Sequence, residues 1–204
     1  MDKKYWMEYY KKDDAPKQPS YFAMDIVDML KPNKKMLELG CGNGRDSVFF
    51  SGKGLIVTAI DQAENSISDL REKYSEIEFI ADDFVSTNRF NLDSYDYIYS
   101  RFSIHSISVE QENILLKKAY KSLNKDGKIF IEARSIKDEF YGLGKNVGKN
   151  EYIYEGHYRR FIDRNEIEKK MKEIGYKIDL SIEDKGLAVY KNQDPVVIRI
   201  IASK

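Results

Sequence analysis

The chain has 204 residues, 42% of them hydrophobic and 13% aromatic, with 34 basic side chains balanced by 34 acidic ones. That length suits one domain burying roughly 70% of its unfolded surface, and the mixed composition argues against disorder. Zero formal net charge and a single cysteine argue against a broad grip on duplex nucleic acid or an anionic membrane and leave no internal disulfide.

The start, Met1-Asp2-Lys3-Lys4-Tyr5, lacks an apolar signal core, and no run approaches the ~18 apolar residues of a spanning helix. A cytoplasmic protein with no membrane or nucleic-acid partner is expected. Monomer and homodimer both remain open.

Tyr5, Trp6, Tyr9 and Tyr10 lead through Asp14-Ala15-Pro16 to Pro19-Ser20. There Ser20 reads as the N-cap of a helix carrying Phe22, Ala23, Ile26, Val27 and Leu30. Short apolar runs suited to buried parallel strands follow at Lys35 to Leu39, Leu55 to Ile60, Ile77 to Ile80, Tyr95 to Tyr99 and Lys128 to Ala133. Helices are expected between them at Arg45 to Ser51, Glu64 to Tyr74 and Val109 to Leu123, the last with Ile114, Leu115, Ala119 and Leu123 on one face. A helix from Arg164 to Ile174, stopped by Gly175, precedes β-rich stretches at Tyr176 to Ile182 and Pro195 to Ala202, which fit an antiparallel pair; Leu187 to Tyr190 is a candidate extension.

The fold class is therefore α/β: one Rossmann-like, doubly wound, mostly parallel seven-stranded sheet ending in an antiparallel hairpin. Within the single domain, residues 1–31 are expected to form an N-terminal cover and helix, 34–133 a cofactor-binding core, 135–161 a lid, and 162–204 the last helix and hairpin. The lid is inferred from its length, too great for a routine connection.

Ligands of such sheets sit beyond the carboxyl ends of the strands, where Glu38, Asp61 and Asp82 fall at successive strand ends. The loop Gly40-Cys41-Gly42-Asn43-Gly44 has little side-chain volume, as a backbone turning sharply against a ligand requires. Its G-x-G-x-G spacing is not the G-x-G-x-x-G of dinucleotide-binding folds.

An acid followed by x-G-x-G-x-G, with a second acid after the next strand, resembles the class I S-adenosylmethionine-dependent methyltransferases. Cys41-Gly42-Asn43-Gly44-Arg45-Asp46-Ser47 is similar in particular to small bacterial enzymes related to the tellurite-resistance methyltransferases. The likeness covers about Lys34 to Glu132. It implies that Gly40 and Gly42 pass the methionine portion of S-adenosylmethionine, with Glu38, Cys41 and Asn43 also among the cofactor-binding residues. Asp61 would hold the ribose, Asp82 the adenine amino group, and Asp83 and Phe84 would flank the adenine; Gln62 is a further cofactor-binding candidate. A carboxylate at Asp61 can accept from both ribose hydroxyls and would repel a 2′-phosphate, which disfavours NADP. Arg45 either reaches the cofactor carboxylate or joins a network in the first helical turn. Cys41 reads as a close-packed residue instead of a nucleophile, and no metal-ligand spacing is present.

Methyl transfer from a sulfonium needs an aligned acceptor that has lost its proton. Ser100-Arg101-Phe102-Ser103-Ile104-His105-Ser106-Ile107 follows the fourth strand, where related enzymes line the floor, with Ser100 toward the cofactor. It lacks the Asp- or Asn-Pro-Pro-Tyr signature of nucleic-acid and glutamine N-methyltransferases. His105 there is a candidate base or a hydrogen-bonded structural residue. Arg134 at the start of the lid, and His157, Arg159 and Arg160 at its end, are expected to bind an anionic acceptor and, through His157, take a proton; the alternative is a solvated loop.

The likeness to tellurite-resistance enzymes extends loosely to Arg159-Arg160. The rest of the lid and Asp194-Pro195-Val196-Val197-Ile198-Arg199 look more like uncharacterised bacterial small-molecule methyltransferases. The expectation is methyl transfer at oxygen to a small anionic metabolite or sugar derivative, with S-adenosylhomocysteine as product. The competing readings are tellurite-type oxyanion methylation, a non-catalytic cofactor-binding subunit, and a dinucleotide oxidoreductase.

Overall fold

A computed structural model describes residues 16–204. Tyr5, Trp6, Tyr9, Tyr10, Asp14 and Ala15, expected to begin the N-terminal cover, lie outside the described residues.

Helix α1 (Tyr21–Ile26) continues as a 3₁₀ turn at Val27–Met29. Strand β1 (Lys35–Leu39) follows, then α2 (Arg45–Gly52), β2 (Ile56–Asp61), α3 (Glu64–Lys73), β3 (Glu78–Ala81) and β4 (Tyr95–Arg101). A 3₁₀ turn (Ile104–Ser106) leads to α4 (Val109–Ser122) and β5 (Leu123–Arg134). After an insertion come α5 (Arg164–Ile174), β9 (Lys177–Asp184) and β10 (Val197–Ser203).

The main sheet has seven strands in the order β3-β2-β1-β4-β5-β10-β9. The first five are mutually parallel, and β10 runs antiparallel to both β5 and β9. This is the expected Rossmann-like architecture with its terminal antiparallel pair. The order reverses between β1 and β4, so the cleft opens at their carboxyl ends.

The sheet is buried on both faces, which is why its central strands are continuous apolar runs. On one face Phe22 and Ile26 of α1, Phe50 of α2, and Ile67 and Leu70 of α3 pack on Tyr97, Tyr99 and Phe130. On the other, Leu115, Leu116 and Ala119 of α4 join Ile167 and Met171 of α5 over Leu37, Leu39 and Ile98. Each such fully buried side chain contributes about 1.5–3 kcal/mol.

The caps explain where the helices begin. Ser20 Oγ accepts the Ala23 N–H, as expected of an N-cap; Ser108 and Gln111 form a reciprocal capping box on α4; and Asp163 accepts two N–H groups at the head of α5. Gly175 ends α5 at φ +119°, as a C-cap glycine should.

Three expectations are corrected. The single-sheet expectation is incomplete, because within residues 135–161 β6 (Lys145–Gly148), β7 (Glu151–Tyr154) and β8 (His157–Arg160) form a separate antiparallel sheet. Glu155 and Gly156, both at positive φ, make its second turn. Ile114 is exposed, because the buried stripe of α4 runs through Glu112, Leu115, Leu116 and Ala119. Leu187 to Tyr190 extends no strand; Tyr190 forms an isolated bridge to Gln193.

Candidate active site

The loop after β1 is locked to the sheet by its backbone: Gly40 and Cys41 both donate their N–H to the Ile60 carbonyl, at 2.8 and 3.0 Å. Gly40, Gly42 and Gly44 all have positive φ, the left-handed region that glycine enters without a steric cost. A methyl group on Gly40 would lie 2.7 Å from Ser103 Cβ, so the loop after β1 passes directly against the loop after β4. Cys41 is buried, and burial raises its thiol pKa, in keeping with a packing role.

Asp61, at the end of β2, orients the same loop. Its Oδ2 accepts the Gly42 N–H and its Oδ1 the Ala63 N–H, both at 2.9 Å. A carboxylate offers about four acceptor sites, so each oxygen keeps capacity for a further donor, which fits a ribose diol. Burial raises the Asp61 pKa, opposed by the N–H groups of Ala63, Gly42 and Gln62. Gln62 follows at the rim, half-buried. Asp82, after β3, accepts the Asp83 N–H at one oxygen, and Asp83 in turn accepts the Val85 N–H.

Phe84 is 2% exposed and packs in the core beside Gly40. Ser100 is also buried, its hydroxyl 2.7 Å from that of Ser103, the residue that abuts Gly40.

Glu38 is buried, and its Oε2 accepts the Ser47 hydroxyl at 2.5 Å. Burial, then the neighbouring Asp46 charge, raise its pKa well above the usual carboxylate value, against Ser47 and Arg45. Around this pair the segment Pro16 to Ser20 is strapped across the glycine loop. Asn43 Nδ2 donates to the Pro16 carbonyl, an Arg45 Nη to the Gln18 carbonyl, and both the N–H and Oγ of Ser20 to Asp46. Asn43 and Arg45 thus both engage the strap.

The second cluster lies beyond β4 and β5. His105 is buried, and its Nδ1 accepts the Arg134 N–H at 3.3 Å, leaving Nε2 to carry the proton. Burial first, then the charges of Arg159, Arg134, His157 and Arg160, push its pKa well below the ordinary histidine value. His105 is thus a neutral hydrogen-bond donor, which argues against it as the base. His157 is buried at the start of β8. Arg159 stacks over the Phe140 ring at 5.4 Å. One terminal nitrogen of Arg134 donates to both carboxylate oxygens of Asp138, at 3.0 and 2.9 Å, so its charge is already balanced.

Arg160 is corrected. Its guanidinium donates to the Ile107 and Ile104 carbonyls at 2.8 and 3.1 Å and to Glu112 at 2.5 Å, while Glu112 also pairs with Lys170. This buried clamp fastens the insertion to α4 and the preceding turn through Nε and one terminal nitrogen of the guanidinium. Adjacent residues of a strand point to opposite faces, which sends Arg159 and Arg160 to different partners. Arg101, Phe102 and Phe140 are residues of this region to which sequence reasoning gives no role. Phe102, at φ +52°, is the one bearing backbone strain, which no sequence pattern announces.

Among the described residues no group of His, Cys, Asp and Glu is arranged to hold a metal ion, and no helix is long and apolar enough to cross a membrane. A parallel sheet reversing between β1 and β4, a glycine loop at that point and acids ending β1 and β2 define the class I S-adenosylmethionine-dependent methyltransferase fold. The profile described as tellurite resistance protein TehB matches residues 2–176. The chain belongs to the TehB family.

Over 121 residues it is 33% identical to the phosphoethanolamine N-methyltransferase of Plasmodium falciparum, covering 54% of this chain and 45% of that protein. Over 119 residues it is 34% identical to the probable S-adenosyl-L-methionine-dependent methyltransferase TehB of Haemophilus influenzae, covering 56% and 42%. These alignments span less than half the length of either relative. Among solved structures, the TehB-like SAM-dependent methyltransferase from Corynebacterium glutamicum superposes with TM-score 0.71 at 16% identity, covering 98% of this chain and 96% of that one. The 1,6-didemethyltoxoflavin-N1-methyltransferase of Burkholderia thailandensis, solved with 1,6-didemethyltoxoflavin and S-adenosylhomocysteine, gives 0.74 at 16%, covering 100% and 84%. At such identities the likeness is one of fold.

Proposed function

We propose that this chain is a methyltransferase that uses S-adenosylmethionine to methylate a small acceptor bearing an anionic group, at oxygen. The observation that supports this reading is the gathering of His105, His157, Arg134 and Arg159 beyond β4 and β5, beside the loop that passes against Gly40. The cofactor supplies an activated methyl group on a sulfonium. Asp61 accepts from the ribose hydroxyls, and Asp82 from the adenine amino group.

On the acceptor side Arg159, displayed over Phe140, holds the anion, and the neutral His105 donates from Nε2 to an acceptor oxygen. His157 takes the hydroxyl proton where the acceptor has one; an acceptor already ionised needs no base. Residues 135–161 act as the lid that excludes water from this exchange.

A second reading, methylation of an inorganic oxyanion of the tellurite type, is favoured by the family match. Incubation with methyl-labelled S-adenosylmethionine and a fractionated metabolite extract tests the first; tellurite alone tests the second. Label in a soluble anionic product supports the small-metabolite reading, and label leaving as a volatile product from tellurite supports the other. Tight S-adenosylhomocysteine binding without any label transfer would sink both and leave a cofactor-binding subunit.

A further inference from the structure

Arg101 ends β4 at the open edge of the sheet, and the chemistry above leaves it unused. Its Nε lies 2.8 Å from Glu132 Oε1, but Glu132 is shared: Arg199 Nε donates to its other oxygen at 2.7 Å. Arg199 is further satisfied by Asp25 and the Leu187 carbonyl. The Arg101 terminal nitrogens donate to none of the described residues, and the side chain keeps 17% of its surface exposed. A guanidinium with one flank on a shared carboxylate and its outer fork open is arranged to take a second anion.

Its position gives the direction. The Arg101 guanidinium lies 4.4 Å from the Phe102 ring; Arg134 lies 5.9 Å from the same ring and 5.2 Å from Phe140; Arg159 lies 5.4 Å from Phe140. Arginine and phenylalanine thus alternate from the end of β4 to β8. The middle arginine is paired with Asp138, and Arg101 stands at the β4 end of the row. The strained φ of Phe102 holds that ring between Arg101 and Arg134.

We infer that Arg101 is a second anion-binding residue of the acceptor pocket, taking a carboxylate or phosphate oxygen of the substrate across the Phe102 ring from Arg134. This rests on the methyltransferase reading above. It predicts an acceptor whose anionic group is multiply charged, or which carries two anionic groups.

The test is calorimetry on the full chain saturated with S-adenosylhomocysteine, titrated with inorganic phosphate and with phosphoethanolamine. Loss of a charge-assisted fork corresponds to roughly ten- to hundredfold in affinity. Arg101→Gln is expected to weaken phosphate binding by about that factor, with S-adenosylhomocysteine affinity unchanged. Arg101→Lys keeps a cation beside Glu132 but loses the fork, and is expected to fall between; it stands in if the Gln variant fails to fold. Unchanged phosphate affinity in both variants, with a loss in Arg159→Gln, would overturn Arg101 alone. Absence of phosphate binding to the wild type, or indifference to Arg101 and Arg159 together, would overturn the inference and the anionic-acceptor reading with it. Weakened S-adenosylhomocysteine binding alongside normal 5′-methylthioadenosine binding would reassign Arg101 to the cofactor carboxylate and also overturn it.

Discussion

Asp46 and Ser20, far apart in sequence, are joined twice: the carboxylate accepts the Ser20 N–H and the Ser20 hydroxyl, each at 2.7 Å. Tyr99 adds a third donor to the same carboxylate at 3.0 Å. One acid at the head of α2 thereby fixes the segment that crosses the glycine loop.

Removing this junction should loosen the strap before it unfolds the sheet. Ser20→Ala loses both a helix cap and a buried charge-assisted bond, so a stability loss of about 1–3 kcal/mol is expected in urea unfolding. Native-state hydrogen exchange should quicken at residues 16–23 more than in β1. Equal quickening in both would mean the junction supports the whole domain.

Asp61 is expected to be the largest single side-chain contributor to cofactor affinity. Asp61→Ala should weaken S-adenosylhomocysteine binding roughly ten- to hundredfold by calorimetry, partly because Gly42 loses the acceptor that orients it. Wild-type affinity in this variant would remove Asp61 from the ribose site.

The outline of the sheet was legible because buried parallel strands must be apolar on both faces, and β1 begins and ends where the run Lys35 to Leu39 does. The acids at strand ends were legible for the same topological reason. The sheet β6–β8 was not, since each of its strands is only four residues long, too short for a period of two to stand out. Nor was the division of labour in Arg159-Arg160: two identical neighbours differ only in the face they take, and that depends on pairing with β7. The place of Phe84 beside Gly40 was not legible either, because tertiary packing sets it.

His157→Ala should lower turnover by ~10²- to 10⁴-fold if the methylated atom is a hydroxyl, with S-adenosylhomocysteine binding preserved. Full turnover at saturating acceptor would point to an acceptor already ionised.

Arg160 makes the opposite prediction. Its loss leaves Glu112 with Lys170 alone, so Arg160→Ala should cost about 3–5 kcal/mol in chemical denaturation. Stability unchanged to within experimental scatter would contradict the clamp.

The depressed pKa of His105 makes stability depend on pH. Unfolded, the imidazole titrates near 6.5, and folded it titrates well below. Between those values the unfolded chain binds the extra proton, so this contribution is complete above pH 6.5 and is lost as pH falls toward the folded value. Relative to His105→Gln, the wild type should lose stability between pH 7 and pH 5 in urea titrations. Parallel curves for the two proteins would show that His105 is not held neutral.

The insertion leaves and rejoins the main body at one spot: Ser135 bridges Ile162, and the Ile162 N–H donates to the Arg134 carbonyl at 2.9 Å. With its ends fixed side by side, its length enters the folding equilibrium only through a slowly varying logarithm. Evolution can therefore lengthen, shorten or exchange residues 136–161 as a cassette while β1–β5 keep their register. Relatives sharing one cofactor scaffold can diverge in what they modify by trading this unit, and a graft between two of them is the corresponding laboratory route.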